Sequence, residues 1–303
     1  VVPSYTHLQQ AQAISLGHHL LAYAWMAVRD RGRFADLDRR LSVSPLGAFA
    51  SGGSSLPLDP FNTARRLGFE AVFANSLDAV GARDHVAEYV FCCAQSMIHL
   101  SRLAEELILW ATSEFGWVTF ADSLTTGSSA LPHKKNPDIA ELARGRSAGV
   151  IGDLTSIMAL QKALPLAYNR DLQEDKEYVF RADDSLAGSL EALTALVFSA
   201  DFHPPSPSSW TTALDLAEAL VLRGVPFREA HESVGRLVAA LGSDGRTLGE
   251  ASEGDLLDAD ERFSTEDLAL TDPMTSVGRR MTSGGGSQES VDSQVEALRG
   301  LLS

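Results

Sequence analysis

The feature that most constrains the fold is an uninterrupted apolar stripe between residues 86 and 107. Val86, Val90, Cys93, Met97, Leu100, Ala104 and Leu107 follow one another by alternating steps of four and three. Only a helix puts such residues on one line, and a stripe this narrow is the seam of a helix packed lengthwise in a bundle. Two further stretches carry the same signature. Leu142, Val150, Leu154 and Ile157 mark a helix from Ile139 to about Leu164, ended by Pro165. Leu186, Leu190, Leu193 and Val197 mark another from Glu177 to about Ala200. Residues 14–41, with Leu16, Leu20, Tyr23 and Ala27, read as a fourth helix. No segment alternates well enough to be a strand. The expected class is all-α, with long central bundle helices.

The run His203-Pro204-Pro205-Ser206-Pro207 breaks the chain. It sets the expected boundary between a helical-bundle domain, 1–203, and a small helical C-terminal domain, 204–303. In the second, Thr211–Arg223 and Pro226–Leu241 read as shorter helices, and a last helix starts at Gln288. The bundle seams are wider than one chain can cover, so self-association is expected.

Composition limits the partners. The chain has 25 Lys and Arg against 40 Asp and Glu, a net charge of −15. Such a chain repels nucleic acid unless a basic run contradicts the total, and none does. No apolar run reaches membrane-spanning length. Cys92 and Cys93 are neighbours on one expected helix, so they diverge and read as core fillers in a reducing, cytoplasmic compartment. The chain opens Val1-Val2-Pro3 and reads as the later part of a longer protein.

Chemistry concentrates at Thr125–Glu141, TTGSSALPHKKNPDIAE. Small residues (Gly127-Ser128-Ser129) lead into Lys134-Lys135. Asn136-Pro137-Asp138 then has the order of a helix start: N-cap, first-position proline and an acid in the first turn. Loop hydroxyls, lysines and a helix N-terminus together suit an anion beside a proton carrier. The Gly-x4-Gly-Lys-Ser/Thr spacing of a nucleotide-phosphate loop is absent here, and Gly52-Gly53 is followed by no lysine. His18-His19 diverge on their helix and read as structural. His7, His99 and His133 show no metal-ligand spacing.

Gly127 to Asn136, GSSALPHKKN, resembles the G-S-S-x-M-P-x-K-x-N signature of the fumarase/aspartase superfamily, with Leu131 in place of the usual Met. Further blocks narrow the resemblance to the argininosuccinate lyase family. Tyr5-Thr6-His7-Leu8-Gln9 with Ala11-Gln12 is similar to its P-G-Y-T-H-L-Q-x-A-Q-P, with Ser4 for the Gly and Ala13 for the Pro. The Ser4 exchange would matter if the position needs positive φ. Asn75-Ser76-Leu77-Asp78-Ala79-Val80 with Arg83-Asp84 is similar to N-S-L-D-A-V-x-x-R-D, and Ser76 reads as a helix N-cap. Tyr168 to Lys176 is close to Y-N-K-D-L-Q-E-D-K, with Arg170 for the Lys. The stretch from Trp210 to Glu232 resembles the family's C-terminal domain.

The resemblance implies a long central helix bundle of the fumarase/aspartase type, assembled as a homotetramer with a twenty-helix core and active sites shared between subunits. It implies β-elimination of argininosuccinate to arginine and fumarate, a step of arginine biosynthesis, with no metal or cofactor. Ser128 would be the base, Lys134 and Asn136 would hold the charge-bearing carboxylate, and His7 would sit across the site, oriented by Glu141. Thr6, Ser129, Tyr168, Gln173 and Lys176 would contact substrate. A first conserved region, with a substrate-binding Arg-Asn pair, would lie upstream of residue 1. Two alternatives share the fold: another superfamily lyase such as adenylosuccinate lyase, or a non-catalytic relative like the lens crystallins. The D-L-Q-E-D-K and V-P-F-R-E-A-H-E blocks argue against the first; Ser128, Lys134, Asn136 and His7 argue against the second.

Overall fold

The computed structural model describes residues 1–302. Its elements are helical apart from short two-stranded ladders, so the all-α expectation holds for the fold as a whole. The chain divides into two compact units, Trp25–His203 and Val1–Ala24 with Pro204–Ser303. This division takes residues 1–24 out of the 1–203 span expected from the sequence.

The unit of residues 25–203 is built on three long helices: α4 (Asp84–Trp110), α5 (Asp138–Gln161) and α6 (Asp175–Phe198). α1 (Leu16–Leu41) joins them beyond Ala24. The expected stripe becomes the core. Val90, Cys93, Ala94 and Met97 of α4 pack with Val150 and Ile157 of α5 and with Ala182 and Leu186 of α6. Phe34 of α1 joins the cluster, and its ring meets Tyr89 edge-on at 5.8 Å. Side chains three and four apart on one helix make a continuous ridge, which is why the seam packs over its whole length. Trp110, at the end of α4, stacks on Trp117 at 5.4 Å. Burial pushes the Cys93 thiol up to about 12 and raises that of Cys92, so both are inert core thiols.

Shorter elements cap the bundle. β3 (Val43–Ser44) runs parallel to β4 (Ala71–Val72), around α2 (Pro60–Leu67). Asp59 caps α2 by accepting the Asn62 N–H, with Pro60 at the first helical position. α3 (Ser76–Gly81) is capped by Asn75, which accepts the Asp78 N–H; the expected cap, Ser76, is the first helical residue. β5 (Val118–Thr119) pairs with β8 (Asp201–Phe202), and β6 (Thr126–Gly127) with β7 (Lys135–Asn136). Two core assignments fail. Leu142 is 60 % exposed, because α5 turns Ala140, Ala143, Ser147, Val150 and Ile157 inward instead, and Leu190 is exposed on α6, which turns Ala182, Leu186, Ser189, Leu193 and Leu196 inward.

In the other unit, α7 (Ala213–Leu222), α8 (Phe227–Ser243) and α9 (Glu253–Ala259) enclose a second core. It contains Leu216, Leu220, Val234, Leu237, Leu241, Leu256 and Phe263. α10 (Pro273–Gly278) and α11 (Gln288–Leu302) are the unit's remaining helices. The unit also holds a hairpin that the sequence reading missed: β1 (Val2–Thr6) pairs antiparallel with β2 (Gln9–Ile14). Pro3 and the glutamines obscure its alternation. β2 lies against the Ser209–Thr212 turn and α10, and Gln10 accepts the Ser208 N–H at 3.0 Å. Val2, Pro3 and Ala13 are buried by these contacts. No helix among the described residues is long and apolar enough to cross a membrane.

Two predictions test these cores. Met97 is fully buried at the centre of the three-helix seam. Met97→Ala should cost about 3 kcal/mol, read as a lower midpoint in denaturant unfolding. In the other unit, Arg246, the Ser252 hydroxyl and the Ser252 N–H hold Asp255 below its ordinary value of 3.8. Arg262 and the Ser233 hydroxyl do the same for Asp260. A carboxylate with a depressed folded-state pKa binds fewer protons folded than unfolded. Its stabilisation is therefore complete above the ordinary value and fades as pH falls below it. Thermal scans between pH 5 and pH 2 should show a falling transition, and Asp255→Asn should flatten part of that fall.

Candidate active site

The expected site residues fall into three groups in the structure. The first is the loop between β6 and β7. Thr126 pairs with Asn136 and Gly127 with Lys135, so residues 128–134 form the tip of a small hairpin that feeds into α5. This corrects the expected helix start. Asn136 lies in β7, and the helix begins at Asp138 with no side-chain cap on Pro137. The hairpin is closed by its side chains: the Thr126 hydroxyl donates to Asp138, and the Asn136 amide donates to Thr126 Oγ1 at 3.4 Å.

At the tip, the Ser128 oxygen accepts the N–H groups of Ala130 (3.3 Å) and Leu131 (3.1 Å). Two donors aimed at one hydroxyl oxygen favour its negatively charged form over its neutral one. Of the two lysines, Lys135 is bound to Asp122, whereas Lys134 has no ion-pair partner among the described residues. Ser129, Lys134 and Glu141 are exposed; Ser128 and Asn136 are half-buried.

The second group is a strap from Pro165 to Lys176. It closes in a short 3-10 turn, Arg170–Glu174, that leads directly into α6. Tyr168, Gln173 and Lys176 are exposed on it, while Leu172 is 3 % exposed and anchors it. Ala167 (φ 64°) and the nearby Ala163 (φ 60°) adopt left-handed backbone, uncommon for residues with a Cβ. Gly81, at the end of α3, makes the close fit possible: a Cβ there would lie 2.6 Å from the Ala167 carbonyl oxygen. Arg83 and Asp175, which the sequence reading did not single out, tie the strap down; Arg83 Nε donates to Asp175 Oδ2 at 2.6 Å. Their signal lay in plain view, an Arg and an Asp each inside a matched block.

The third group is Thr6 and His7, at the tip of the β1–β2 hairpin. Thr6 pairs with Gln9, leaving His7 and Leu8 as a two-residue turn. Both have positive φ, 55° and 57°, as the mirror-image turns of tight hairpins require. Neither residue is Gly, Asn or Asp, so the turn carries a backbone cost of about 1–2 kcal/mol per residue. Ser4 has no positive φ. Its hydroxyl donates to the Gln12 carbonyl and accepts the Gln12 N–H, bridging the irregularity between Pro3 and Tyr5. The Gly-to-Ser exchange is therefore accommodated. His99 is structural: its Nδ1 is 2.7 Å from Asp30 Oδ2, and Asp30 also accepts from Arg33.

Within the unit of residues 25–203, the loop and the strap stand at opposite ends of α5. The β6–β7 loop lies at the N-terminal end of α5, whereas Gln161, the last residue of α5, bonds the Arg83 carbonyl beside the strap. A 24-residue helix is about 36 Å long, so loop and strap are held apart by that rigid rod. Thr6 and His7 belong to the other compact unit. A cleft of about 520 Å³ is bordered by Arg40, Phe69, Phe73, Asp78 and Glu88, outside these groups, and one of about 320 Å³ lies against the strap, lined by Gly81, Arg83, Gln161, Pro165, Ala167 and Leu172.

Comparison with known proteins gives this arrangement its class. The family described as "Lyase" matches residues 1–152, and "Argininosuccinate lyase C-terminal" matches residues 210–278. The chain is 48 % identical to the argininosuccinate lyase of Acidothermus cellulolyticus, covering 99 % of this chain and 63 % of that protein. It is 44 % identical to that of Symbiobacterium thermophilum, covering all of this chain and 67 % of that one. Among solved structures, an EDDS lyase superposes with a TM-score of 0.89 at 30 % identity, over 100 % of this chain and 63 % of its own. A 3-carboxy-cis,cis-muconate lactonizing enzyme from Pseudomonas putida (TM-score 0.76, 19 % identity, 100 % and 68 % covered) shares the fold. The chain belongs to the argininosuccinate lyase family of the fumarase/aspartase superfamily. It spans less than two thirds of the Acidothermus relative.

The strap's close seat is directly testable. In Gly81→Ala the new methyl meets backbone atoms of Ala167, which have no rotamer to change. A loss of about 1–3 kcal/mol is expected in thermal unfolding, together with faster amide exchange across residues 165–172.

Proposed function

We propose that the protein cleaves argininosuccinate to arginine and fumarate by β-elimination, acting as a carbon–nitrogen lyase in arginine biosynthesis. The observation that carries this reading is the Ser128 oxygen facing two backbone N–H donors in a loop that also holds an unpaired lysine. The reaction removes a weakly acidic proton from the carbon next to a carboxylate. Negative charge builds on that carboxylate, and the bond from the neighbouring carbon to the guanidino nitrogen then breaks. A serine can serve as the base only if its surroundings stabilise the alkoxide, and the Ala130 and Leu131 N–H groups would do so. Lys134 and Asn136 would hold the carboxylate as its charge rises, the preorganised electrostatics that usually dominate such catalysis. His7 would sit across the substrate with Glu141 as its orienting carboxylate, which fixes tautomer and raises basicity. Thr6, Ser129, Tyr168, Gln173 and Lys176 would complete the binding surface.

We further propose a homotetramer with shared active sites. A rod of about 36 Å between the loop and the strap of one chain supports it. Copies packed antiparallel along their bundle helices would bring one chain's loop to another's strap. The bundle offers surface for this: Leu142, Met158, Phe180 and Leu190 are exposed. Gly145, Gly149 and Gly152 share the Leu142 face of α5 with open space above them, so a neighbouring helix can approach closely. Two buried free thiols fit a cytoplasmic location.

The test is fumarate release, followed by ultraviolet absorbance, from the protein extended to the full length of its relatives. Turnover of argininosuccinate, with none of adenylosuccinate, is the expected result. Ser128→Ala should lower kcat about a thousandfold with little change in KM. Near wild-type turnover in that variant would remove Ser128 as the base.

A further inference from the structure

We propose that Asp175 is a positioning residue for the lyase reaction. Held in place by Arg83, it aims the Lys176 ammonium at an anionic group of the substrate. This rests on the reading that the strap contacts argininosuccinate.

The argument starts from an unusual pair of neighbours. Asp175 and Lys176 are consecutive residues at the start of α6, and consecutive helical side chains do not face each other. Yet Lys176 Nζ donates to Asp175 Oδ1 at 2.7 Å. The lysine is bent back over the helix end, and it gives up rotamer freedom to stay there. The aspartate does not need it for neutralisation. Its other oxygen, Oδ2, already accepts from Arg83 Nε at 2.6 Å, and the carboxylate is almost wholly buried. The lysine, by contrast, keeps 58 % of its side chain exposed, with two of its three N–H donors left for a ligand. It also stands in the first turn of a helix, where the dipole disfavours a cation and favours an anion. A lysine held at that position has an electrostatic cost in the free protein that an incoming carboxylate would remove.

The aspartate is itself fixed from behind. Arg83 Nη1 donates to the Ala82 carbonyl at 2.7 Å, and Gln161 Nε2 donates to the Arg83 carbonyl at 2.9 Å. The corner between α3 and α4 is thus tied to the last residue of α5 through the Arg83 carbonyl and to the first residue of α6 through the Asp175 carboxylate. Asp175 converts the rigidity of three bundle helices into a fixed direction for one exposed ammonium group.

The experiment uses the full-length enzyme and the fumarate-release assay. Asp175→Asn keeps the shape and removes the charge. It should raise KM for argininosuccinate at least about tenfold while kcat falls less than about threefold. In a Lys176→Met background the same substitution should change KM by less than about twofold, because its effect passes through the lysine. Arg83→Lys should keep KM within about threefold of wild type, while Arg83→Met should resemble Asp175→Asn. A residue with only a structural role would lower the unfolding midpoint equally in both backgrounds and would not show this coupling in KM. An active wild type whose KM is unmoved by Asp175→Asn overturns the proposal alone. So does an undiminished effect in the Lys176→Met background. A wild type that releases no fumarate overturns the lyase reading, and the proposal with it.

Discussion

The packing of α4 against α5 and α6 is the constraint on which the rest of this unit depends. Met97, Val90 and Cys93 meet Val150, Ile157, Ala182 and Leu186 along a continuous seam. Close packing along that seam holds α5 as one uninterrupted helix, because a break would open voids in the interface. The length of that helix then sets the distance between the loop before it and the strap after it. The same interface that stabilises the unit therefore keeps two parts of the candidate site apart within one chain. That separation is the observation behind the proposed assembly, in which other copies would complete the site and the exposed Leu142, Met158, Phe180 and Leu190 would meet them.

Apart from Phe49, the described non-Gly residues with positive φ lie at the places where chemistry is expected. His7 and Leu8 turn through positive φ at the end of the β1–β2 hairpin, and Ala163 and Ala167 do so around the strap. Such conformations persist only where surrounding contacts over-determine them. The hairpin is fixed by burial of Val2, Pro3 and Ala13 and by the Ser4–Gln12 bridge. The strap is fixed by Leu172, by the Arg83–Asp175 pair and by the missing side chain of Gly81. In both places a rigid support holds exposed polar groups at the tip of a short irregular segment. That combination suits residues that must meet a substrate with little loss of entropy on binding.

The candidate residues were legible because the blocks around them are ordered strings of particular side chains. The Gly127–Asn136 block and the Tyr168–Lys176 block can be read without any coordinates. Their surroundings were less legible. Asp175 looks in the sequence like one of several acids in a polar connection; only the fold shows it almost fully buried between Arg83 and Lys176. Asn136 has the composition of a helix cap, yet pairing with Thr126 draws it into a strand. Leu142 has the right spacing for the core, but the helix phase is set by the small residues Ala140, Ala143 and Ser147, which let α4 and α6 approach.

By itself, the sequence determined the long helices, through the three–four spacing of apolar residues, and the chemical character of the site, through residue identity at each matched block. Both are local properties, since helical periodicity and side-chain chemistry need no distant partner. The tertiary structure decided the rest: the hairpin that places residues 1–24 with the C-terminal unit, the face that α5 buries, and the burial of Asp175 between Arg83 and Lys176. These depend on contacts between segments far apart in the chain, such as Ser208 with Gln10, Ala167 with Gly81 and Asp175 with Arg83. No local rule encodes such pairings, because their free energy exists only once the segments have been brought together.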